Sequence, residues 1–172
     1  MKKYAHFETE RLVLQPTTEE DAGFILELLN SPKWLEYIGD RNVNTEEDAK
    51  QYIKNKISPQ LEKLGFSNYT LIRKSDGLKI GSCGLYDREG VEGIDIGFAL
   101  LPAFEGLGSG FESASKVLEI GKTKFNIDSF SAITTKNNLA SQRLIEKLGL
   151  RYIKTIRIPN DEEELLFYRI EY

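Results

Sequence analysis

Hydrophobic and polar residues alternate along this chain with two different periods. Short runs in which apolar residues fill the run or recur at every second position predict β-strands. Longer segments with apolar residues three and four apart predict amphipathic helices. The predicted strands are 10–16, 68–74, 78–87, 93–101, 130–136, 150–158 and 164–171, and the predicted helices are 18–30, 46–64, 108–125 and 138–148. This order predicts an α/β (α+β) fold in which residues 1–172 form a single domain.

The segment from Gly93 to Ala114 joins a predicted strand to a predicted helix through a turn with closely spaced glycines, GIDIGFALLPAFEGLGSGFESA. Gly106, Gly108 and Gly110 lack a Cβ, so the backbone can approach a ligand closely. The first N–H groups of a helix have no partner within the helix, and the helix dipole adds partial positive charge there. The turn therefore predicts a site for a phosphate-bearing ligand, and the alternative is an ordinary strand-to-helix turn.

Two common phosphate motifs do not fit this turn. A P-loop needs GxxxxGK[ST], but Phe111 and Glu112 follow Gly110. The dinucleotide motif GxGxxG/A needs a small residue where Phe111 stands. The sequence thus disfavours an NTPase and a nicotinamide- or flavin-dependent enzyme.

A second motif lies at residues 135–150, TKNNLASQRLIEKLGL, where Asn138 takes the expected N-cap position of a helix that ends near Gly149. Together with the glycine turn, the pattern NxxSxxLxEKLG resembles the GNAT family of N-acetyltransferases, and most closely its RimJ/RimL-like branch, the ribosomal-protein N-terminal acetyltransferases. The opening Thr9–Leu12 (TERL) and the position of Glu112 are also similar to that branch. The resemblance extends over nearly the whole chain.

The resemblance implies a twisted mixed sheet of about seven strands flanked by helices, with the two central strands splayed apart. Acetyl-CoA would be the cosubstrate, its pantetheine arm lying in the splay and its diphosphate at the glycine turn. The cofactor-binding residues implied in this way are Phe98, Ala99, Leu100, Glu105, Gly106, Leu107, Gly108, Ser109, Gly110, Asn138 and Ser141. Asn138 has an alternative role as a simple helix N-cap.

Two residues are candidates for proton transfer. The branch implies that Ser141 protonates the departing thiolate, and the alternative is a solvent-facing or back-bonded helical serine. Asp95, on the predicted strand face of Ala99, is a candidate general base, and the alternative is an exposed strand carboxylate. A backbone N–H near Phe98 or Ala99 is a candidate to polarise the thioester carbonyl.

The resemblance implies transfer of an acetyl group to a primary amine by direct attack in a ternary complex, with a protein or peptide N-terminal α-amine as a candidate acceptor. Three departures from the family pattern leave alternatives open: Ala103 replaces an Arg or Gln, Glu105 replaces an aromatic residue, and Ile145 replaces a tyrosine proton donor. One alternative is a non-catalytic acyl-CoA-binding module. The other is an acetyltransferase for a small-molecule amine such as a polyamine, an amino acid or an antibiotic.

Composition narrows the remaining classes. The formal net charge of −4 gives no support to a basic nucleic-acid-binding face. No apolar run approaches the length of a membrane span, so we expect a cytoplasmic protein without membrane contact. Cys83 and His6 are the single cysteine and histidine, so we expect no metal site, and we expect Cys83 to be a small buried residue. A monomer and a homodimer fit the sequence equally well.

Overall fold

The computed structural model describes residues 3–172, which form eight strands and six α-helices. The strands are β1 (Phe7–Glu8), β2 (Leu12–Pro16), β3 (Asn68–Arg73), β4 (Lys79–Tyr86), β5 (Ile94–Leu100), β6 (Ser129–Thr135), β7 (Arg151–Ile156) and β8 (Leu165–Glu171). The helices are α1 (Ala22–Leu29), α2 (Pro32–Tyr37), α3 (Glu46–Tyr52), α4 (Ser58–Leu64), α5 (Ser109–Phe125) and α6 (Leu139–Lys147).

All eight strands belong to one sheet in the order β1-β2-β3-β4-β5-β6-β8-β7. Neighbouring strands run antiparallel except β5 and β6, which are parallel. The predicted mixed α/β sheet is confirmed, with eight strands instead of about seven. The additional strand is β1, whose two residues pair with Leu14 and Val13 and are too few to show a periodic pattern.

Helix α5 covers one face of the sheet because its buried residues fall on one side of the helix. Ala114, Val117, Leu118 and Gly121 are spaced three and four apart and are buried. They contribute to a core that also contains strand residues from both halves of the sheet, among them Leu71, Cys83, Ile96, Phe130 and Tyr168. The same packing brings the first turn of α5 to the end of β5.

Helices α1 and α3 form a second core on the opposite face. Ile25 and Leu28 of α1 pack with Ala49 and Ile53, and Ala99 of β5 packs against this cluster. Asp95 and Gly97 share the face of Ala99, since side chains alternate along a strand. The α1–α3 side of β5 is therefore lined by one acidic and two small residues.

The structure differs from the predicted helices in three places. The helix predicted at 18–30 opens with a 3₁₀ turn at Glu19–Asp21. The helix predicted at 46–64 contains a π-helical segment at Ile53–Ile57 between α3 and α4. Helix α2 starts with Pro32 at its first turn and has no buried residue, so it shows no apolar periodicity. None of the helices within residues 3–172 is long and apolar enough to cross a membrane.

Candidate active site

Strands β5 and β6 pair over a short distance and then separate. Their parallel register covers only Ile94 with Phe130 and Asp95 with Ser131, although β5 continues to Leu100 and β6 to Thr135. The other side of β5 remains paired with β4 along six residue pairs. The centre of the sheet thus contains a V-shaped opening, and the predicted splay is confirmed.

The backbone of β5 presents particular residues to this opening. The N–H of Leu101 donates to the carbonyl of Ile80 on the β4 side, at 2.9 Å. Since backbone groups alternate in direction along an antiparallel strand, Ala99 also points toward β4, while Phe98 and Leu100 point toward the opening. Of the three expected pantetheine-facing residues, Phe98 and Leu100 have the appropriate backbone direction, and Phe98 is the better placed thioester-polarising donor.

The glycine turn has the geometry of an anion-binding turn. Gly106 and Gly108 adopt positive φ values of 73° and 86°, which a residue with a side chain adopts only with strain. Gly108 is the N-cap of α5, a helix of 17 residues, and within the described chain no side chain caps it. The N–H groups that begin at Ser109 therefore lie where the helix dipole is positive. The N–H of Glu105 donates to the carbonyl of Pro102 at 3.4 Å, and the role of Glu105–Gly110 toward a diphosphate stays a prediction.

The acid at position 105 has a charge partner that the sequence does not reveal. Lys33 of α2 donates a hydrogen bond from Nζ to Glu105 Oε2. This hydrogen bond raises the pKa of Lys33, which stays a cation at neutral pH. The acid that replaces the family's aromatic residue is thereby neutralised beside the turn, instead of leaving a free negative charge there.

Asp95 is a buried carboxylate, which excludes the alternative of an exposed strand residue. Its exposed fraction is 1%. Arg88 is its cationic neighbour, with Nη2 3.4 Å from Oδ2 and Nε 3.4 Å from Oδ1. Among the described residues, Oδ2 has no hydrogen-bond partner. Burial raises the pKa of Asp95, and Arg88 opposes that effect. The role of Asp95 as a general base stays a prediction.

Tyr86 packs beside Asp95, in space left free by two glycines. Tyr86 pairs with Asp95 across β4 and β5, and its hydroxyl donates to Asn68 Oδ1. A Cβ at Gly97 would lie 2.9 Å from the Tyr86 ring, and one at Gly84 would lie 2.8 Å from its hydroxyl oxygen. The Tyr86 ring therefore occupies the space that side chains at these two positions would fill.

Asn138 and Ser141 open helix α6 together. Asn138 is the N-cap residue, and its Oδ1 accepts from the N–H of Ser141 at 3.2 Å. The structural role of Asn138 as a cap is confirmed. Ser141 is partly buried, and within residues 3–172 its hydroxyl is not hydrogen-bonded back to the helix, unlike that of Ser113, which donates to Gly110. Its role toward a thiolate stays a prediction.

Two other candidate positions have plainly structural roles. Ile145 is 1% exposed and belongs to the core under the sheet, so it supplies no proton donor. Cys83 is fully buried, and burial raises the pKa of its thiol to about 12, which leaves it unreactive at neutral pH. Residues 3–172 contain no cluster of three or more His, Cys, Asp or Glu side chains arranged to hold a metal ion.

Arg11 and Thr9 are the site residues that sequence reasoning missed. Arg11 donates from Nη1 to the carbonyl of Leu107 in the glycine turn, at 2.9 Å, and from Nε to Glu112, at 2.8 Å. Thr9 donates to the same carboxylate. The available signal was that TERL and Glu112 both match the branch, but one sequence does not show that they contact each other across about a hundred positions.

We expect Gly106→Ala to weaken CoA binding about tenfold, because its Cβ would occupy space beside the diphosphate. Gly77→Ala is a matched control: both glycines have a φ of 73°, and neither has an atom within 4 Å of an added Cβ. Both variants should lose similar stability, about 1–2 kcal/mol of backbone strain. Calorimetric titration with CoA measures the affinity of the two variants. Equal affinity would show that the turn is not part of the binding site.

Comparisons with known proteins agree with this geometry. Residues 11–151 match the acetyltransferase (GNAT) domain family. The chain is 27% identical over 146 residues to the uncharacterised N-acetyltransferase YnaD of Bacillus subtilis (strain 168), covering 85% of this chain and 82% of the relative.

Solved structures share the fold over the full length of the chain. An acetyltransferase from Agrobacterium tumefaciens str. C58 superposes with a TM-score of 0.82 at 19% identity, covering 100% of this chain and 97% of that one. RimL, a ribosomal L7/L12 α-N-protein acetyltransferase in complex with coenzyme A, superposes with a TM-score of 0.80 at 16% identity, covering 97% and 98%. With its splayed sheet and its family match over most of its length, the chain belongs to the GNAT family of acetyltransferases.

Proposed function

We propose that this acetyltransferase moves an acetyl group from acetyl-CoA to a primary amine, by direct attack in a ternary complex, and that the acceptor is the N-terminal α-amine of a protein or peptide. The observation that supports acetyl-CoA as the cosubstrate is the V-shaped opening. It leads from the unpaired border of β5 to the positively polarised start of α5.

The residues of the opening fit acetyl-CoA. The backbone of Phe98 and Leu100 offers donors and acceptors to the amides of a pantetheine arm, as a neighbouring strand would. An added Cβ at Gly106 would meet no atom within 4 Å, so there is open space beside the turn for a phosphate, and RimL, which shares the fold, binds coenzyme A. Bound acetyl-CoA supplies an activated acetyl group; the protein holds and orients it.

Asp95 is the proposed base. Its raised pKa makes it a better acceptor for a proton than an ordinary aspartate, and with 1% exposure it would act through a water molecule. Ser141 would donate a hydrogen bond to the departing sulfur from the partly buried first turn of α6. Phe98 N–H would polarise the thioester carbonyl.

The acceptor class follows from proton affinity. An α-amine has a pKa near 8 and a lysine side chain one near 10.4, so deprotonating lysine at neutral pH costs about 3 kcal/mol more. A site whose proposed base is a single buried carboxylate with a cationic neighbour favours the amine that is easier to deprotonate, which is the α-amine. The RimL neighbour is named as an α-N-protein acetyltransferase, which supports the same acceptor.

The first experiment is thermal unfolding with acetyl-CoA, CoA, ATP and NAD, because a ligand that binds only the folded protein raises Tm. We expect a shift with the CoA compounds only. A shift with ATP or NAD alone would contradict the proposal, and so would the absence of any shift with millimolar acetyl-CoA. Release of free thiol in the presence of N-terminal peptides, polyamines and amino acids then identifies the acceptor class.

We expect Ser141→Ala to lower kcat about tenfold without changing the dissociation constant of acetyl-CoA, because the lost hydrogen bond forms only as the sulfur departs. Gln142→Ala, at the next helix position and bonded to the carbonyls of Thr135 and Lys136, is the control for damage to α6. An unchanged kcat in Ser141→Ala, measured at saturating acetyl-CoA, would show that Ser141 is not the proton donor.

One observation favours a second candidate, a non-catalytic acyl-CoA-binding module. The position of the usual tyrosine is filled by the core residue Ile145, and Ala103 offers no charge to the diphosphate. A protein that binds acetyl-CoA but releases no thiol with any amine would establish the module.

A further inference from the structure

We propose that Arg11 is a positioning residue that holds the glycine turn in its diphosphate-binding conformation, acting through the carbonyl of Leu107. This inference rests on the proposed binding of acetyl-CoA. It assigns to the N-terminal TERL segment a part in cosubstrate recognition, although that segment lies about a hundred residues from the turn it contacts.

The guanidinium of Arg11 spans the junction between the turn and α5. Nη1 donates to Leu107 O at 2.9 Å, just before the helix, and Nε donates to Glu112 Oε1 at 2.8 Å, in its first turn. The backbone N–H of Arg11 also donates to Glu112 Oε2, at 3.2 Å. A planar fork that reaches two points of a rigid helix start fixes the intervening peptide.

Glu112 is itself held in place. Thr9 Oγ1 donates to Oε2 and accepts from the N–H of Leu12 at 3.0 Å, which ties the carboxylate to the start of β2. Partial burial raises the pKa of Glu112, but the hydrogen bonds from Thr9 and Arg11 lower it below its usual value overall. The carboxylate thus stays ionised and keeps the guanidinium in one orientation.

The geometry of the Leu107–Gly108 peptide explains how the contact with Arg11 would affect diphosphate binding. The peptide bond between Leu107 and Gly108 is planar and trans, so its C=O and N–H point in opposite directions. With the Leu107 carbonyl held by Arg11, the N–H of Gly108 points away from the guanidinium. Without Arg11, the same peptide is free to rotate and to turn a carbonyl oxygen toward the phosphates, where it would repel them.

The position of Arg11 also explains how the turn functions with Ala103. The family pattern places an Arg or Gln three residues before Gly106, and here that position carries no polar group. Arg11 Nη2 lies 3.2 Å from the point where a Cβ of Gly108 would stand. The cation that immediately precedes β2 is thereby set beside the turn, with Glu112 balancing its charge.

The test compares CoA with pantetheine, which lacks the diphosphate. For wild type, Arg11→Met, Arg11→Lys and Glu112→Gln, the dissociation constant is measured for CoA by calorimetry and for pantetheine by NMR titration. We expect each variant to bind CoA about tenfold more weakly and pantetheine unchanged, because the lost charge-assisted bonds affect only the diphosphate turn. Lys116→Met is the control, since Lys116 lines the same surface but pairs with Glu119.

Each other outcome overturns the inference in a defined way. CoA affinity unchanged in Arg11→Met excludes any role, and equal weakening for both probes shows a general structural effect. Wild-type affinity in Arg11→Lys, or tighter binding in Glu112→Gln, shows that charge alone acts and that the turn is not being positioned. If Arg11→Met does not fold, as judged by Tm, the nearly isosteric Glu112→Gln decides. A wild-type protein that binds no CoA overturns the proposed function itself.

Discussion

Asp95→Asn is expected to lower kcat about a hundredfold or more, because asparagine cannot accept the proton of the attacking amine. The side chain keeps its size at a site with 1% exposure, so substrate binding should change little. Steady-state kinetics with an N-terminal peptide measures the effect. Asp87→Asn, an exposed carboxylate one position before Arg88, is the control and should retain wild-type activity. A kcat within threefold of wild type in Asp95→Asn would exclude the base role.

The same substitution should change how stability depends on pH. Because burial raises the folded-state pKa of Asp95 above its unfolded value of about 3.9, the folded protein binds the proton more tightly than the unfolded chain does. This contribution to stability is complete below the unfolded pKa and is lost as pH rises through the folded pKa. Asp95→Asn removes that loss, so its Tm relative to wild type should rise as pH is raised from 4 to 8. A constant difference would show that the fold does not raise the pKa of Asp95.

Gly81→Ala is expected to destabilise the protein by about 3 kcal/mol, near the upper end for overpacking in a core. A Cβ at this position would lie 2.4 Å from the carbonyl oxygen of Ala99 and 3.0 Å from the Cα of Leu100. Both obstacles belong to the backbone of β5, which cannot move without disturbing its pairing with β4.

Urea unfolding measures the loss in Gly81→Ala. Ser82→Ala, at the next strand position, removes an atom instead of adding one and should cost less than 1 kcal/mol. A loss below 1 kcal/mol in Gly81→Ala as well would mean that β5 shifts easily in the sheet, and the fixed opening beside Phe98 and Leu100 would have to be abandoned.

The sequence predicted best the elements whose packing is periodic. Helix α5 was expected at 108–125 and occurs at Ser109–Phe125, since Ala114, Val117 and Leu118 repeat at helical spacing. Helix α2 has no buried residue, and the π-helical segment at Ile53–Ile57 interrupts the α-helical repeat, so neither is marked by a regular apolar period. The two-residue strand β1 is formed by pairing with β2 alone.

The part of the candidate site that is formed by the backbone of one continuous segment could be predicted from the sequence. The glycine turn from Gly106 to Gly108 was found from its spacing, and its positive φ values agree with that reading. The burial of Asp95 and the pairs Lys33–Glu105 and Arg11–Glu112 join elements distant in sequence. Such contacts follow from the sheet order, which a single sequence does not specify.

The V-shaped opening gives this sheet four borders where an ordinary open sheet has two. Unpaired strand borders are the places where β proteins associate with other chains and aggregate. Here the inner borders meet at the paired residues Ile94 and Asp95, so a strand can enter from one end only. A short extended ligand suits that closed end better than a long strand from another molecule. The feature that would admit the pantetheine arm is therefore also expected to limit self-association through the middle of the sheet.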